Sequence, residues 1–258
     1  MRICAAQYDV IWENKHKNML KCEAFFKKAS ALACNVIVFP ELSLTGFTLD
    51  TSFSEPSGDS ETIDFFVACS KKYGVASVFG VAVHENGKCF NRLVAVDACG
   101  NIVTSYDKIH PFSIGEEPYK AGNSVCSFAL NDMDIGLTIC YDLRFPELFR
   151  KLSQKCNCII VSANWSSERK DHWLTLLKAR AIENQCYIVG CNRVGDADTS
   201  YSGDSVIIAP DGKIIACAEA FCEELIYADI SSEDVRQLRS RFPVMGDKRT
   251  ELYRNFYE

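Results

Sequence analysis

The chain has 258 residues, 48% of them hydrophobic, with 28 Lys and Arg against 34 Asp and Glu and a formal net charge of −6. That length can build an apolar core unaided, and the scattered basic residues lack the patch or stripe of a nucleic-acid binder, so nucleic acid is not an expected partner. No run approaches the roughly 18 apolar residues of a membrane span, and the opening MRICAAQYDV has neither an apolar h-region nor a small-residue cleavage site, so a cytoplasmic protein with no membrane partner is expected.

RICAAQYDV reads as a strand. Asn14 to Ala33 reads as an amphipathic helix, with Met19, Cys22, Phe26, Ala29 and Ala33 at helical spacing and its lysines on a solvated face. VIVF is a buried strand ending at Pro40-Glu41. A second helix is predicted over about Ser60 to Tyr73, then strands near Ala76 to Ala82, Cys89 to Asp97 and Ile102 to Tyr106, with turns at Asn86-Gly87 and Cys99-Gly100-Asn101. Strands at Ser124 to Leu130 and Ile135 to Cys140 precede a helix from about Pro146, the strand CIIVSA and a long helix over Asp171 to Asn184. YIVGCN, DSVIIA, KIIACA and ELIYADI are further strands, and Ser232 to Arg241 is a last helix. No linker, repeat or low-complexity segment interrupts this rhythm, so one domain is expected over residues 1–258. Helices alternating with strands and hairpins indicate an α/β fold of mixed sheets covered by helices, and so many strands fit two stacked sheets better than one.

Fourteen cysteines raise the questions of metal and disulfides. No CxxC occurs, Cys156 and Cys158 form only a CxC, and the four histidines are scattered, so no zinc site is expected. Most of the thiols read as reduced, small buried hydrophobes. Cys140 is different, because it ends the apolar run IGLTI and precedes an acid, an arginine and a proline that open a helix. A thiol at such a turn meets backbone N–H groups and the positive end of a helix dipole, which is expected to lower its pKa from about 8.5 toward thiolate.

Two more reactive side chains occupy equivalent positions. Glu41 follows VIVFP and Lys108 follows IVTSYD, so three carboxyl ends of strands carry a carboxylate, an ammonium and a thiol. A thiol nucleophile needs a base, and the tetrahedral adduct formed on a carbonyl needs a positive donor at its oxygen. Glu41 and Lys108 can supply these.

FPELSLTGF around Glu41, YDKIHPF around Lys108 and ICYDLRFPEL around Cys140 resemble, in order and spacing, the signature blocks of the nitrilase superfamily of carbon–nitrogen hydrolases. The resemblance extends over essentially the whole chain. HWLTLLKARAIENQCYIVGCNRVG followed by YSGDSVIIAPDGKII resembles the bacterial omega-amidase branch. The resemblance implies a four-layer αββα sandwich of two mixed β-sheets, a homodimer paired through helical faces, and no metal or organic cofactor. It implies hydrolysis of a small linear amide, 2-oxoglutaramate or a similar dicarboxylate monoamide, to the acid and ammonia through a thioester.

By the same resemblance Cys140 is the nucleophile, Glu41 the general base and acid, and Lys108 the oxyanion donor together with the Tyr141 backbone N–H. A second glutamate is expected in GEEPYKAG, where Glu117, five residues before Gly122, is favoured and Glu116 is the alternative. Phe47, Phe112, Asn164 and Trp165 are candidates for the walls of a small pocket, core packing being the competing reading for the aromatics. Arg144, Arg169 and Arg193 are candidates for a clamp on a substrate carboxylate, although Arg144 and Arg180 can equally serve structure by pairing with Glu147 or Glu183. His110 is a rival base, but the surroundings of Cys140 lack the glycine and tryptophan signature of papain-like proteases, and orienting the loop is its expected role. Two alternatives accompany the omega-amidase reading. One is the same three residues acting on an N-carbamoyl amine, an aliphatic amide or a nitrile. The other is a non-enzymatic redox-sensitive binding module with Cys140 as the sensitive thiol.

Overall fold

The computed structural model describes residues 1–112 and 115–254. Strand β1 (Arg2–Gln7) and helix α1 (Lys15–Ala31) lead into β2 (Val36–Val38), which pairs in parallel with β1. A parallel crossover needs such a helix, and Asn14 starts it by accepting from the Lys17 N–H at 3.1 Å. After the two-residue strand β3 (Glu55–Pro56), α2 (Glu61–Tyr73) is capped by the Ser60 side chain and stopped by Gly74 at φ 65°. Then β4 (Ala76–Glu85), β5 (Lys88–Val96) and β6 (Ile102–Asp107) run antiparallel, β4 turning into β5 at Asn86-Gly87 with both residues at positive φ.

The second half repeats the plan with β7 (Ser127–Leu130), β8 (Met133–Ile139), α3 (Pro146–Leu152), β9 (Cys158–Ala163), α4 (Lys170–Asn184) and β10 (Tyr187–Asn192). Strands β8, β9 and β10 are parallel neighbours. A hairpin of β11 (Val194–Asp196) and β12 (Ser200–Ser202) precedes β13 (Val206–Ile208) and β14 (Ile214–Cys217). Finally β15 (Glu224–Asp229) crosses back to pair antiparallel with β1, and α5 (Ser232–Arg241) and α6 (Thr250–Arg254) follow. The sheet orders are β15-β1-β2-β4-β5-β6, with β3 on β4, and β14-β13-β10-β9-β8-β7.

Strand alternation decides how the sheets stack. Val38, Leu93, Ala95 and Tyr106 of the first sheet meet Leu137, Ile139, Ile160 and Val189 of the second in one buried core. On the outer faces, Phe26 of α1 and Phe66 of α2 pack on Phe39 and Phe79, the Phe66 and Phe79 rings stacked 3.9 Å apart between centroids. Phe149 of α3 and Trp173 and Leu177 of α4 cover Ile159, Val161 and Ile188. Each such side chain contributes roughly 1.5–3 kcal/mol of burial. The result is the expected αββα sandwich.

Two local expectations need correction. The strand foreseen from Ser124 begins at Ser127, and Ala33 lies beyond the end of α1 in a left-handed turn at φ 53°. Cys140 to Arg144 form a short 3-10 turn ahead of the helix expected from about Pro146. Pro146, as first residue of α3, is where the α-helix starts.

Candidate active site

The site lies where the core between the sheets gives way to charge. On β5 the alternation that sends Leu93 and Ala95 into that core sends Asn91 the same way, and on β6 Tyr106 is followed two residues later by Lys108. Lys108 is 1% exposed, and its Nζ donates at 2.8 Å to Glu41 Oε1 and at 2.8 Å to Glu116 Oε2. Its backbone N–H donates to the Asn91 carbonyl at 3.0 Å, while its carbonyl accepts from Gly122 N at 2.8 Å.

Glu41 sits in a tight turn after β2. Leu42 has φ 46°, and the turn presses on β4 so closely that a Cβ on Gly80 would lie 2.3 Å from the Leu42 nitrogen, which leaves room for glycine only. Ser43 ties the turn to the same strand, its N–H donating to the Gly80 carbonyl and its Oγ accepting from the Gly80 N–H, each at 2.9 Å. Both carboxylate oxygens of Glu41 are held: Oε1 accepts from Lys108 and from Asn91 Nδ2 at 2.7 Å, and Oε2 from the Asn164 N–H at 2.9 Å.

The second glutamate at the site is Glu116, not Glu117. Glu116 N donates to the Phe112 carbonyl at 3.0 Å and Tyr119 N to the Glu116 carbonyl at 3.0 Å, a turn that sends the Glu116 side chain inward and leaves Glu117 exposed. Glu116 Oε2 also accepts from Phe112 N at 2.6 Å, and Oε1 from Asn91 Nδ2 at 2.9 Å.

Cys140 occupies a left-handed backbone position at φ 43°, an uncommon conformation for a non-glycine residue and one that concentrates at functional turns. Asp142, fully buried, pins the turn by accepting from Ile139 N at 3.0 Å, Tyr106 Oη at 2.7 Å, His110 N at 3.1 Å and His110 Nδ1 at 2.8 Å. His110 thus orients the loop, as expected, and stacks on Phe145 with centroids 3.7 Å apart.

The electrostatics reverse one expectation. Burial, and then the Glu41 carboxylate, push the Cys140 thiol well above its ordinary pKa, and the Lys108 ammonium offsets only part of this. The helix-dipole argument fails because a five-residue 3-10 turn has little dipole and two carboxylates from distant parts of the chain stand close by. Burial also works against the Lys108 ammonium, but Glu41 and Glu116 outweigh it and hold its pKa above the usual lysine value. Burial raises the Glu116 carboxyl, and Lys108 pulls it down only in part. With a neutral thiol the cluster carries two carboxylates against one ammonium.

Above Cys140 and Lys108 opens a cavity of about 110 Å³. Phe47, Phe112, Tyr141, Asn164 and Trp165 all line it, as do Arg144 and Arg169. Arg144 lies over the Trp165 ring at 4.8 Å and the Tyr141 ring at 5.9 Å, and Arg169 is 3.9 Å from the exposed Glu168. Arg193 does not reach the cavity. It is buried behind it, bonded to Asp9 Oδ1 at 3.1 Å and to the Val10 carbonyl at 2.8 Å. Arg180 is structural, donating to the Leu143 carbonyl and pairing with Glu183 at 3.0 Å. Sequence reasoning missed Asn91, whose signal is an amide at an inward position of a strand, and Asp198 and Tyr201, which the β11–β12 hairpin brings to the cavity wall.

A thiol beside a carboxylate, a lysine ammonium at the same carboxylate and a small cavity over them can attack a carbonyl carbon, take up the thiol proton and stabilise the resulting oxyanion. Fold and site together define a hydrolase of the α/β sandwich class. The chain belongs to the carbon–nitrogen hydrolase family, that of the nitrilases, whose family model matches residues 2–240. It is 36% identical to the 2-oxoglutaramate amidase of Bacillus subtilis, over 97% of this chain and 98% of that one, and 34% identical to the omega-amidase YafV of Escherichia coli K12, over 96% of each. Among solved structures it resembles XC1258 of Xanthomonas campestris, a superfamily member described with an arsenic adduct in its active site, at TM-score 0.90 and 28% identity over 96% of this chain and 97% of that one. Saccharomyces cerevisiae Nit3 shares the fold at TM-score 0.89 and 23% identity, over 97% of this chain and 96% of that one.

Proposed function

We propose that the protein is an omega-amidase, hydrolysing 2-oxoglutaramate or a similar dicarboxylate monoamide to the acid and ammonia. The observation that carries this reading is the pairing, in one small cavity, of the Cys140–Glu41–Lys108 cluster with Arg144 and Arg169, which suits a substrate with an amide at one end and a carboxylate at the other. The identity to the Bacillus and Escherichia relatives supports it.

In this reaction the Cys140 sulfur attacks the amide carbon while Glu41 takes the thiol proton. Lys108 and the Tyr141 backbone N–H hold the oxyanion. As the carbon–nitrogen bond breaks, the proton on Glu41 passes to the departing nitrogen, ammonia leaves, and a thioester remains on Cys140. Glu41 then takes a proton from a water molecule that attacks the thioester, and returns it to the sulfur as the acid is released. Glu116 keeps Lys108 charged and aimed. Every proton is accounted for by the four side chains and water.

The test is ammonia release by the purified protein from 2-oxoglutaramate beside N-carbamoyl amines, short aliphatic amides and nitriles. A clear preference for 2-oxoglutaramate is expected. Preference for an uncharged amide or an N-carbamoyl amine would move the protein to another branch of the family and take the carboxylate role from the arginines. We also propose a homodimer working in the reducing cytoplasm, where the many buried free thiols are at no risk of oxidation. Light scattering is expected to give twice the 28.9 kDa chain mass, and a monomer at working concentration would contradict it.

A further inference from the structure

We infer that Asn91 is a positioning residue of the active site, an amide clamp that holds the two like-charged carboxylates of Glu41 and Glu116 in place and keeps them ionised beside the thiol. The inference rests on the reaction roles proposed for Glu41, Lys108 and Cys140.

Asn91 reaches every charged member of the cluster. Its Nδ2 donates to Glu41 Oε1 at 2.7 Å and to Glu116 Oε1 at 2.9 Å, and its backbone carbonyl accepts from the Lys108 N–H at 3.0 Å. The amide therefore spends both of its N–H groups on two carboxylates that would otherwise repel each other around one ammonium. Its own Oδ1 is buried with no hydrogen-bond partner among the described residues. An unsatisfied buried carbonyl oxygen costs on the order of 1–3 kcal/mol, and a residue chosen for packing alone at this strand position would be apolar, like Leu93 and Ala95 beside it. The orphaned oxygen is a cost of pointing the nitrogen at both glutamates.

The consequence is chemical. Glu41 can accept the thiol proton only while it is ionised and turned toward Cys140. Lys108 at Oε1 and Asn164 N at Oε2 supply two of its three donors, and Asn91 is the third. The charged and titratable groups facing this cluster are Lys108, Glu41, Glu116 and Cys140, with Tyr119 beside Glu116. Removing a donor from an anionic cluster raises its affinity for protons, so the acidic limb of activity, below which the base is protonated, moves to higher pH.

The test uses Asn91→Ser and Asn91→Asp, read by the pH dependence of kcat/KM and, independently of any substrate, by the pH dependence of Cys140 alkylation by iodoacetamide. Serine offers one O–H in place of two N–H groups. Its acidic limb and its alkylation midpoint are expected about one pH unit or more above wild type, with kcat down roughly tenfold or more. Aspartate keeps the shape but is acceptor-only when ionised and has a single donor when protonated, so Asn91→Asp is expected to lose more activity than serine at neutral pH. A serine variant whose rates fall uniformly with both midpoints unmoved would reduce Asn91 to a packing residue and overturn the inference. Should Asn91→Ser fail to fold, Asn91→Asp decides alone: near-normal turnover and an unmoved alkylation midpoint overturn the inference. Failure of the underlying reading looks different, because wild-type protein would then release no ammonia from any of the amides tested.

Discussion

Cys140→Ala is expected to lose turnover by roughly 10⁴-fold or more while keeping its fold. Alanine adopts the left-handed position at φ 43° at least as easily as cysteine, and the thiol's own hydrogen bond is a weak 3.8 Å contact to the Asn164 carbonyl, so little structure depends on the sulfur. Its chemistry is another matter. Burial and the neighbouring carboxylates keep the resting thiol neutral, so there is no standing thiolate for a substrate to meet. In the reaction proposed, attack and proton transfer to Glu41 are then coupled. Ammonia release checks the rate, and thermal unfolding checks the fold. Unfolding at or slightly above the wild-type temperature is expected, because the variant removes a desolvated polar group beside two carboxylates. Residual turnover within about tenfold of wild type would place the nucleophile elsewhere.

What the sequence could and could not say about this site divides along a physical line. Positions set by local periodicity were legible: VIVFP-Glu41, YD-Lys108 and IGLTI-Cys140 all read as strand ends, and the structure brings all three together because their strands carry them to the same edge of the core between the sheets. The two stacked sheets followed from the number of strands. What failed were properties that depend on which way one residue faces or on what arrives from far away. Glu116 and Glu117 are chemically identical neighbours, and only the Phe112–Glu116 and Glu116–Tyr119 turn bonds decide which carboxylate points inward. The expected lowering of the Cys140 pKa considered the local helix start alone, whereas its sign is reversed by burial first and then by carboxylates that come from residues 41 and 116. Arg193 was a chemically sound clamp candidate, yet its guanidinium is bonded behind the cavity to Asp9 and the Val10 carbonyl, which the chain following β1 places next to it.

Replacing Lys108 by methionine is expected to affect both activity and stability. Methionine fills most of the volume of the lysine stem, so packing is little disturbed, but Glu41 and Glu116 are left buried with no cation between them. Removing one partner from a buried ion cluster costs roughly 3–5 kcal/mol, which for a chain of this size lowers the unfolding temperature by about 10 °C at neutral pH. The pH dependence separates this effect from ordinary damage. In the folded wild type the Glu116 carboxyl already lies above its ordinary pKa, so its contribution to stability is present below the unfolded value and fades as pH rises through the folded one. Without Lys108 no cation offsets the burial of either carboxylate, and the penalty at neutral pH grows. Acidification relieves it, because a protonated carboxyl is cheap to bury. The stability gap between Lys108→Met and wild type is therefore expected to be widest above pH ~7 and to narrow toward pH ~5, measured as unfolding temperature against pH. A gap that stays constant across that range would mean that the lysine acts through packing alone. Turnover is expected to fall by at least about 10²–10³-fold at every pH, since protonating the carboxylates restores stability but not a donor at the oxyanion.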